Sequence, residues 1–161
     1  MKTTRKYGKR VDSALTMWVK LARAFTTFSK RTADDIRTYG LTQPQFGALE
    51  TLGHLGPMTI GELCRKQLVS GGNMTVVIDN LEKEDIVERV PSTKDRRATL
   101  VQLTRKGRQM FDGIFPKHAA YVADEASVLS RQEQNQLSRL LEKLGKGCRD
   151  ENSKLEKNGR K

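Results

Sequence analysis

The run Lys94-Asp95-Arg96-Arg97 sets one carboxylate among three cations. A carboxylate so placed can hold an arginine by a bidentate pair and aim it. An aimed arginine suits a narrow minor groove, where A·T-rich DNA concentrates negative potential, so Arg97 would enter the groove and Lys94 or Arg96 would meet the flanking phosphates. The bland alternative is a solvated charged turn. Upstream, Ser70-Gly71-Gly72 precedes Asn73, Thr75 and Val76. A helix opening there after the glycines would leave its first N–H groups and positive dipole end free for a phosphate or the lip of a groove, with polar side chains in reach of base edges. The bland alternative is that Ser70 caps the helix and the glycines turn the chain.

No other grouping offers reactive chemistry. The chain holds two histidines, His54 and His118, and two cysteines, Cys64 and Cys148, at no metal-ligand spacing, and it contains no glycine-rich phosphate loop. An enzymatic reading therefore has no nucleophile, base or metal set to name, and no cofactor or metal is expected. The cysteines form no disulfide framework, which fits a reducing cytoplasm. Cys64 falls in a short helical pattern and is expected to be buried. Cys148 stands among Lys143, Lys146 and Arg149, which would favour its thiolate and leaves a redox role open.

Thirty Lys and Arg against nineteen Asp and Glu give the 161 residues a formal net charge of +11, which favours polyanionic partners or, more plainly, solubility. Placement favours the first. Lys2, Arg5, Lys6, Lys9 and Arg10 open the chain without an acid, and Lys94, Arg96, Arg97, Arg105, Lys106 and Arg108 surround Asp95 alone, whereas the stretch from Glu82 to Glu88 is acidic. Clustered bases are what phosphate binding requires. No run approaches the roughly 20 apolar residues of a membrane span, and the basic start leads into no apolar signal region, so a soluble intracellular protein is expected.

The elements that must position these residues follow from periodicity. Val11, Leu15, Trp18, Ala22 and Phe25 step by four and three, predicting a long first helix that ends near Arg37. Thr42 with Gln45, Thr59 with Glu62, and Ser130 with Glu133 are helix-start signals, Pro44 fitting the first turn of the second helix. A fourth helix from about Gly72 to Glu84 turns Met74, Val77, Ile78 and Leu81 inward and leaves Asn73, Thr75, Val76, Asn80 and Lys83 on other faces. Val87 to Val90 and Thr99 to Leu103 are β-prone runs about a polar turn, an antiparallel hairpin. Thr104 can cap a helix bearing Met110, Ile114, Val122 and Leu129, with Pro116 expected to bend it, and the last helix carries Leu137, Leu140, Leu141 and Leu144. The fold class is mainly α with a small antiparallel β-wing. The order of elements between Thr59 and Gly107 describes a winged helix-turn-helix, with one helix sized for a major groove and a basic finger beside it.

These segments resemble the MarR family of bacterial transcription regulators. The likeness covers nearly the whole chain: LTQPQFGALETL from 41, TIGELC from 59, SGGNMTVVIDNLEKEDIVER from 70, and DRRATLVQLTRKG from 95. Its specific part is Asp-x-Arg followed by Leu-Thr-x-x-Gly. The resemblance implies that Arg97, with Asp95 as its partner, enters the minor groove. The residues expected to contact DNA are Thr42, Thr59, Ser70, Gly71, Asn73, Thr75, Val76, Lys94, Asp95, Arg96 and Arg97. The resemblance also implies an obligate homodimer held by the first and last helices and release by a small phenolic or other aromatic effector; such a dimer would read a pseudo-palindromic double-stranded DNA operator. A bacterial or archaeal cytoplasm, close to the nucleoid, is the expected location.

The leucines of the last helix and the Val11 to Phe25 stripe supply more apolar surface than one winged domain needs, as a dimerisation region would; an ordinary helix core is the alternative. For an effector the candidates are Trp18, Phe25, Phe28, Tyr39, Phe46, Phe111, Phe115, His118 and Tyr121, in a cleft between the first helix, the second helix and the helix after the wing. Most of them would serve equally as core, and His118 as a surface or packed histidine. The expected organisation is a basic, flexible arm over 1–10, a single domain over 11–147 and a disordered tail over 148–161. Within the domain, 11–40 and 108–147 are dimerisation helices and 41–107 reads DNA. The leading function is a specific, ligand-released repressor; a thiol-based redox regulator and a non-specific architectural DNA binder stand as alternatives. Family members that sense oxidants use a cysteine in the first helix, and none lies before Cys64 here.

Overall fold

A computed structural model describes residues 6–67, 71–93, 95 and 97–158. The elements run α1 (Lys9–Thr38), α2 (Gln43–Leu55), α3 (Ile60–Gln67), α4 (Gly71–Lys83), β1 (Val87–Pro91), β2 (Thr99–Leu103), α5 (Arg105–Ala126) and α6 (Arg131–Asn158). The mainly helical fold with one antiparallel wing is the expected class. The chain divides into two compact units, Met1–Tyr121 and Val122–Lys161.

The first unit holds a core built from every element of the winged segment. Leu49 and Leu52 of α2, Leu63 of α3, and Met74, Ile78 and Leu81 of α4 are buried together with Ile86, Val87 and Val101. The inward face of α4 is the expected one, with Val77 partly buried against the same cluster. Burying each such side chain contributes about 1.5–3 kcal/mol, so the angle of α4 against α2 and α3 is fixed by packing. Of α1's side chains only Ile36 is buried, and Val11, Leu15, Trp18 and Phe25 lie exposed.

Local chemistry sets the boundaries. Thr42 and Gln45 close a capping box at α2, with Pro44 in the first turn. Thr59 and Glu62 repeat it at α3, and Ser130 and Glu133 at α6. The end of α4 is a Schellman turn: Ile86 N–H donates to Leu81 O at 2.9 Å and Asp85 N–H to Glu82 O at 3.0 Å, with Asp85 at φ 57. Leu81 and Ile86, the apolar pair that accompanies such a turn, are both buried.

Beyond that turn β1 pairs with β2 in the register Val87↔Leu103 to Pro91↔Thr99. Met58 exchanges two backbone hydrogen bonds with Val101, so the loop before α3 is fastened to the middle of β2. Thr104 then caps α5: its hydroxyl donates to Asp85 O at 2.6 Å and accepts Gly107 N–H at 3.0 Å. Gly107 is required there, since a Cβ would stand 2.0 Å from Ile86 O.

In three places the chain departs from the sequence reading. Helix α4 begins at Gly71, taking both glycines into its first turn, where they lie exposed with nothing near a would-be Cβ. Helix α1 starts at Lys9, inside the stretch expected to be a flexible arm. In the second unit α6 continues to Asn158, although a tail was expected to fray after Gly147; an exposed glycine costs a helix about 1 kcal/mol relative to alanine, which does not end it. Pro116 lies inside α5, which continues past it as helix.

Candidate nucleic-acid interface

The outer surface of α4 is an exposed, mainly polar face. Asn73, Thr75, Val76, Asn80 and Lys83 are all exposed, and Asn73, Val76, Asn80 and Lys83 recur at helical spacing along one side. Val76 is 58% exposed, an apolar side chain presented to solvent in the middle of that face. The Thr75 hydroxyl donates back to Gly71 O at 3.1 Å, leaving its lone pairs open. Gly71 opens the helix. Ser70 lies outside the described residues, as do Lys94 and Arg96 of the wing.

The wing tip is held by its own backbone. Ser92 N–H donates to Ala98 O at 2.9 Å, Asp95 N–H to the Ser92 hydroxyl at 3.2 Å, and Ala98 N–H to Asp95 O at 2.9 Å. The carboxylate of Asp95 accepts Arg97 N–H at 3.0 Å. This corrects the sequence reading: among the described residues no ion pair joins Asp95 to an arginine side chain, so Asp95 shapes the turn through an Asx-type bond while the Arg97 side chain stands exposed. Thr42 and Thr59 are occupied as caps, each hydroxyl 2.9 Å from its box partner, Gln45 and Glu62 respectively. The Thr59 bonds hold the Glu62 carboxyl below its ordinary pKa; the Ser130 bonds do the same for Glu133.

Three ties were missed in the sequence. Arg89 of β1 bridges Asp79 and Glu82 of α4. The Asp79 bond, first of several causes, raises the Arg89 pKa. Lys106 Nζ donates to Glu84 O at 2.5 Å, and Arg108 to Gly53 O at 2.9 Å. Two of the bases counted toward a phosphate-binding cluster therefore cap carbonyls at helix ends instead. The pairs join residues 7 to 55 positions apart, and no helical or strand spacing marks them.

A cleft of about 560 Å³ opens where α1, α2 and α3 meet His118 of α5, all within the first unit. Thr32, Phe46, Glu50, Thr51, Lys66 and Gln67 are among its lining residues. His118 Nδ1 lies 2.7 Å from Asp35 Oδ2, with side chains only 10% and 12% exposed. Tyr39 donates to the other Asp35 oxygen at 3.2 Å, and burial, followed by the charge of Asp35, raises the Tyr39 pKa. Of the aromatic candidates the cleft gathers Phe46 and His118, whose ring centroids are 4.5 Å apart, with Tyr39 one bond behind them. Phe111 and Phe115 instead meet His54 edge-on at 5.0 and 4.3 Å. Trp18, Phe25 and Phe28 are exposed along α1, and Tyr121 is half-buried.

Cys64 is half-buried against the core and Cys148 is exposed on α6. Among the described residues no group of His, Cys, Asp and Glu could hold a metal ion, and no helix is long and apolar enough to cross a membrane.

Comparison with known proteins places this geometry. The family model described as "MarR family" matches residues 41–99, which span α2 through the start of β2. The HTH-type transcriptional regulator MhqR of Bacillus subtilis is 33% identical over 134 residues, covering 83% of this chain and 92% of the relative. Among solved structures, AbsC, a MarR family transcriptional regulator from Streptomyces coelicolor, superposes with a TM-score of 0.76 at 21% identity, over 91% of this chain and 99% of that one. NadR, solved in complex with 4-hydroxyphenylacetate, has a TM-score of 0.68 at 20% identity, over 89% and 97%.

Proposed function

Since the chain belongs to the MarR family of DNA-binding transcriptional regulators, we propose that it acts as a homodimeric, sequence-specific repressor released by a small aromatic effector. The observation that carries the DNA-reading part is the exposed face of α4 set beside a wing of fixed register. Asn73, Thr75 and Asn80 can bond base edges, and Val76 can meet a thymine methyl group. Arg97 then enters the neighbouring minor groove, with Ser70, Lys94 and Arg96 contacting the backbone around both heads.

Dimerisation is supported by the apolar residues that each unit leaves exposed. In the first these include Val11, Leu15, Trp18 and Phe25; in the second, Leu137, Leu140, Leu141 and Leu144. Surfaces of this kind mark protein contacts more often than solvent faces. Two copies would set two α4 helices about one DNA turn apart, roughly 34–36 Å.

Release is assigned to the cleft at His118. With Nδ1 donating to Asp35, Nε2 is left for an incoming polar group, while Phe46 offers a ring face. The NadR complex shows a protein of this fold holding a phenolic acid. Gln67, whose amide donates to Thr51 at 3.3 Å, lines the same cleft at the end of α3, four residues before the described start of α4. An occupant that displaces it would move the recognition helix, and it releases DNA only if it binds that altered arrangement more tightly. The experiment is selection of duplexes from a random-sequence pool on the pure protein, followed by competition with phenolic acids. A selected sequence that a phenolic acid frees supports the reading. Equal retention of unrelated duplex at matched salt identifies an architectural binder instead.

A further inference from the structure

Arg89 occupies the centre of β1, opposite Val101. Its guanidinium reaches across to α4, where Nη2 donates to Asp79 Oδ1 at 2.5 Å and Nη1 donates to Glu82 Oε2. The two carboxylates stand one turn apart on the helix, and the arginine side chain is 27% exposed. A guanidinium is a planar fork, so a pair of acceptors bound to it is fixed in direction as well as distance. The hairpin leaves α4 through the Schellman turn at Asp85; Met58 fastens β2 at Val101, and Arg89 is the side chain of β1 that fixes its angle to α4. Buried Val87 holds its base, and two residues nearer the tip Arg89 ties β1 to α4 while Val101, opposite it, ties β2 to Met58.

The lever is long enough to matter. From Arg89 to Thr93 an extended chain covers about 13 Å, so a 10° swing would carry the tip by about 2 Å, more than a hydrogen bond tolerates. The same arginine offsets two carboxylates on a helix whose other face is read as meeting a polyanion. We propose that Arg89 is a positioning residue for DNA recognition: by clamping Asp79 and Glu82 it sets the angle between α4 and the wing, so that major-groove and minor-groove contacts are made in one register. This rests on the reading of α4 and Arg97 as the two DNA-contacting heads.

The test measures Kd for a labelled duplex selected from a random-sequence pool by the unaltered protein, alongside urea unfolding of each variant. Arg89→Met, and separately Asp79→Asn with Glu82→Gln, should each weaken binding about tenfold, the scale of one lost charge-assisted contact. Combined with Arg97→Ala, either should add little to the loss from Arg97→Ala alone, because the wing is then already disengaged. A merely structural role would give multiplying losses. Such multiplication, or unchanged Kd for both clamp variants, overturns the proposal. The carboxylate pair serves where Arg89→Met lowers the urea midpoint. Selection of no duplex, or an Arg97→Ala variant that binds normally, overturns the underlying reading and the proposal with it; normal clamp variants beside a weakened Arg97→Ala overturn the proposal alone.

Discussion

At the scale of single residues, the geometry around the wing separates those that shape from those that reach. Gly107 shapes: a methyl group there would drive into Ile86 O, so Gly107→Ala should destabilise the protein by about 1–3 kcal/mol, read as a lower urea midpoint. Asp85 shapes the same corner from a left-handed backbone, which a short polar side chain accepts more readily than a branched one. Asp85→Val should therefore cost on the order of 1–2 kcal/mol in the same assay. Arg97 reaches. Its side chain is exposed while its backbone N–H is held by Asp95, so Arg97→Ala should leave folding unchanged and weaken operator binding by roughly 1–3 kcal/mol in a gel shift. The Asp-x-Arg pair was legible as a unit in the sequence, but the partner atom was not. A carboxylate two residues before an arginine can bond either the guanidinium or the backbone, and only the turn decides which.

At the scale of elements, much of the fold is written locally and could be read there. Thr42 with Gln45, Thr59 with Glu62 and Ser130 with Glu133 mark three helix starts because each bonds within four residues. Two of these boxes also carry a pH dependence. Glu62 and Glu133 have folded-state pKa values below their ordinary value, so the unfolded chain binds those protons more readily. Their contribution is present above the ordinary carboxylate range and is lost as pH falls from about 4.5 through the lowered values. Glu62→Gln with Glu133→Gln should flatten that acid limb in thermal melts followed across pH. The ties that hold elements to one another were not legible. Arg89 to Asp79 and Glu82, Lys106 to Glu84, and His118 to Asp35 cross from one element to the next or beyond, and the sequence marks each as no more than a charge on a face. Gly147 is a helix-stop signal in the sequence, and α6 runs through it to Asn158.

At the scale of the whole molecule, reading a two-part site requires two copies. Phe25 is 70% exposed and Trp18 61%, although α1 is apolar along that stripe. Phe25→Asp should leave the urea midpoint within about 0.5 kcal/mol of the original, as surface changes do, while shifting the sedimentation coefficient from dimer to monomer. The same variant should lose most of its DNA affinity, since one copy offers one α4 and one wing. The central claim, that paired α4 helices and wings read a two-part site, is tested most directly by footprinting the protein on the duplex it selects. Two protected major-groove segments centred about 10–10.5 base pairs apart are expected, with minor-groove protection beside each. A single protected segment, or uniform protection with no repeat, would contradict the claim.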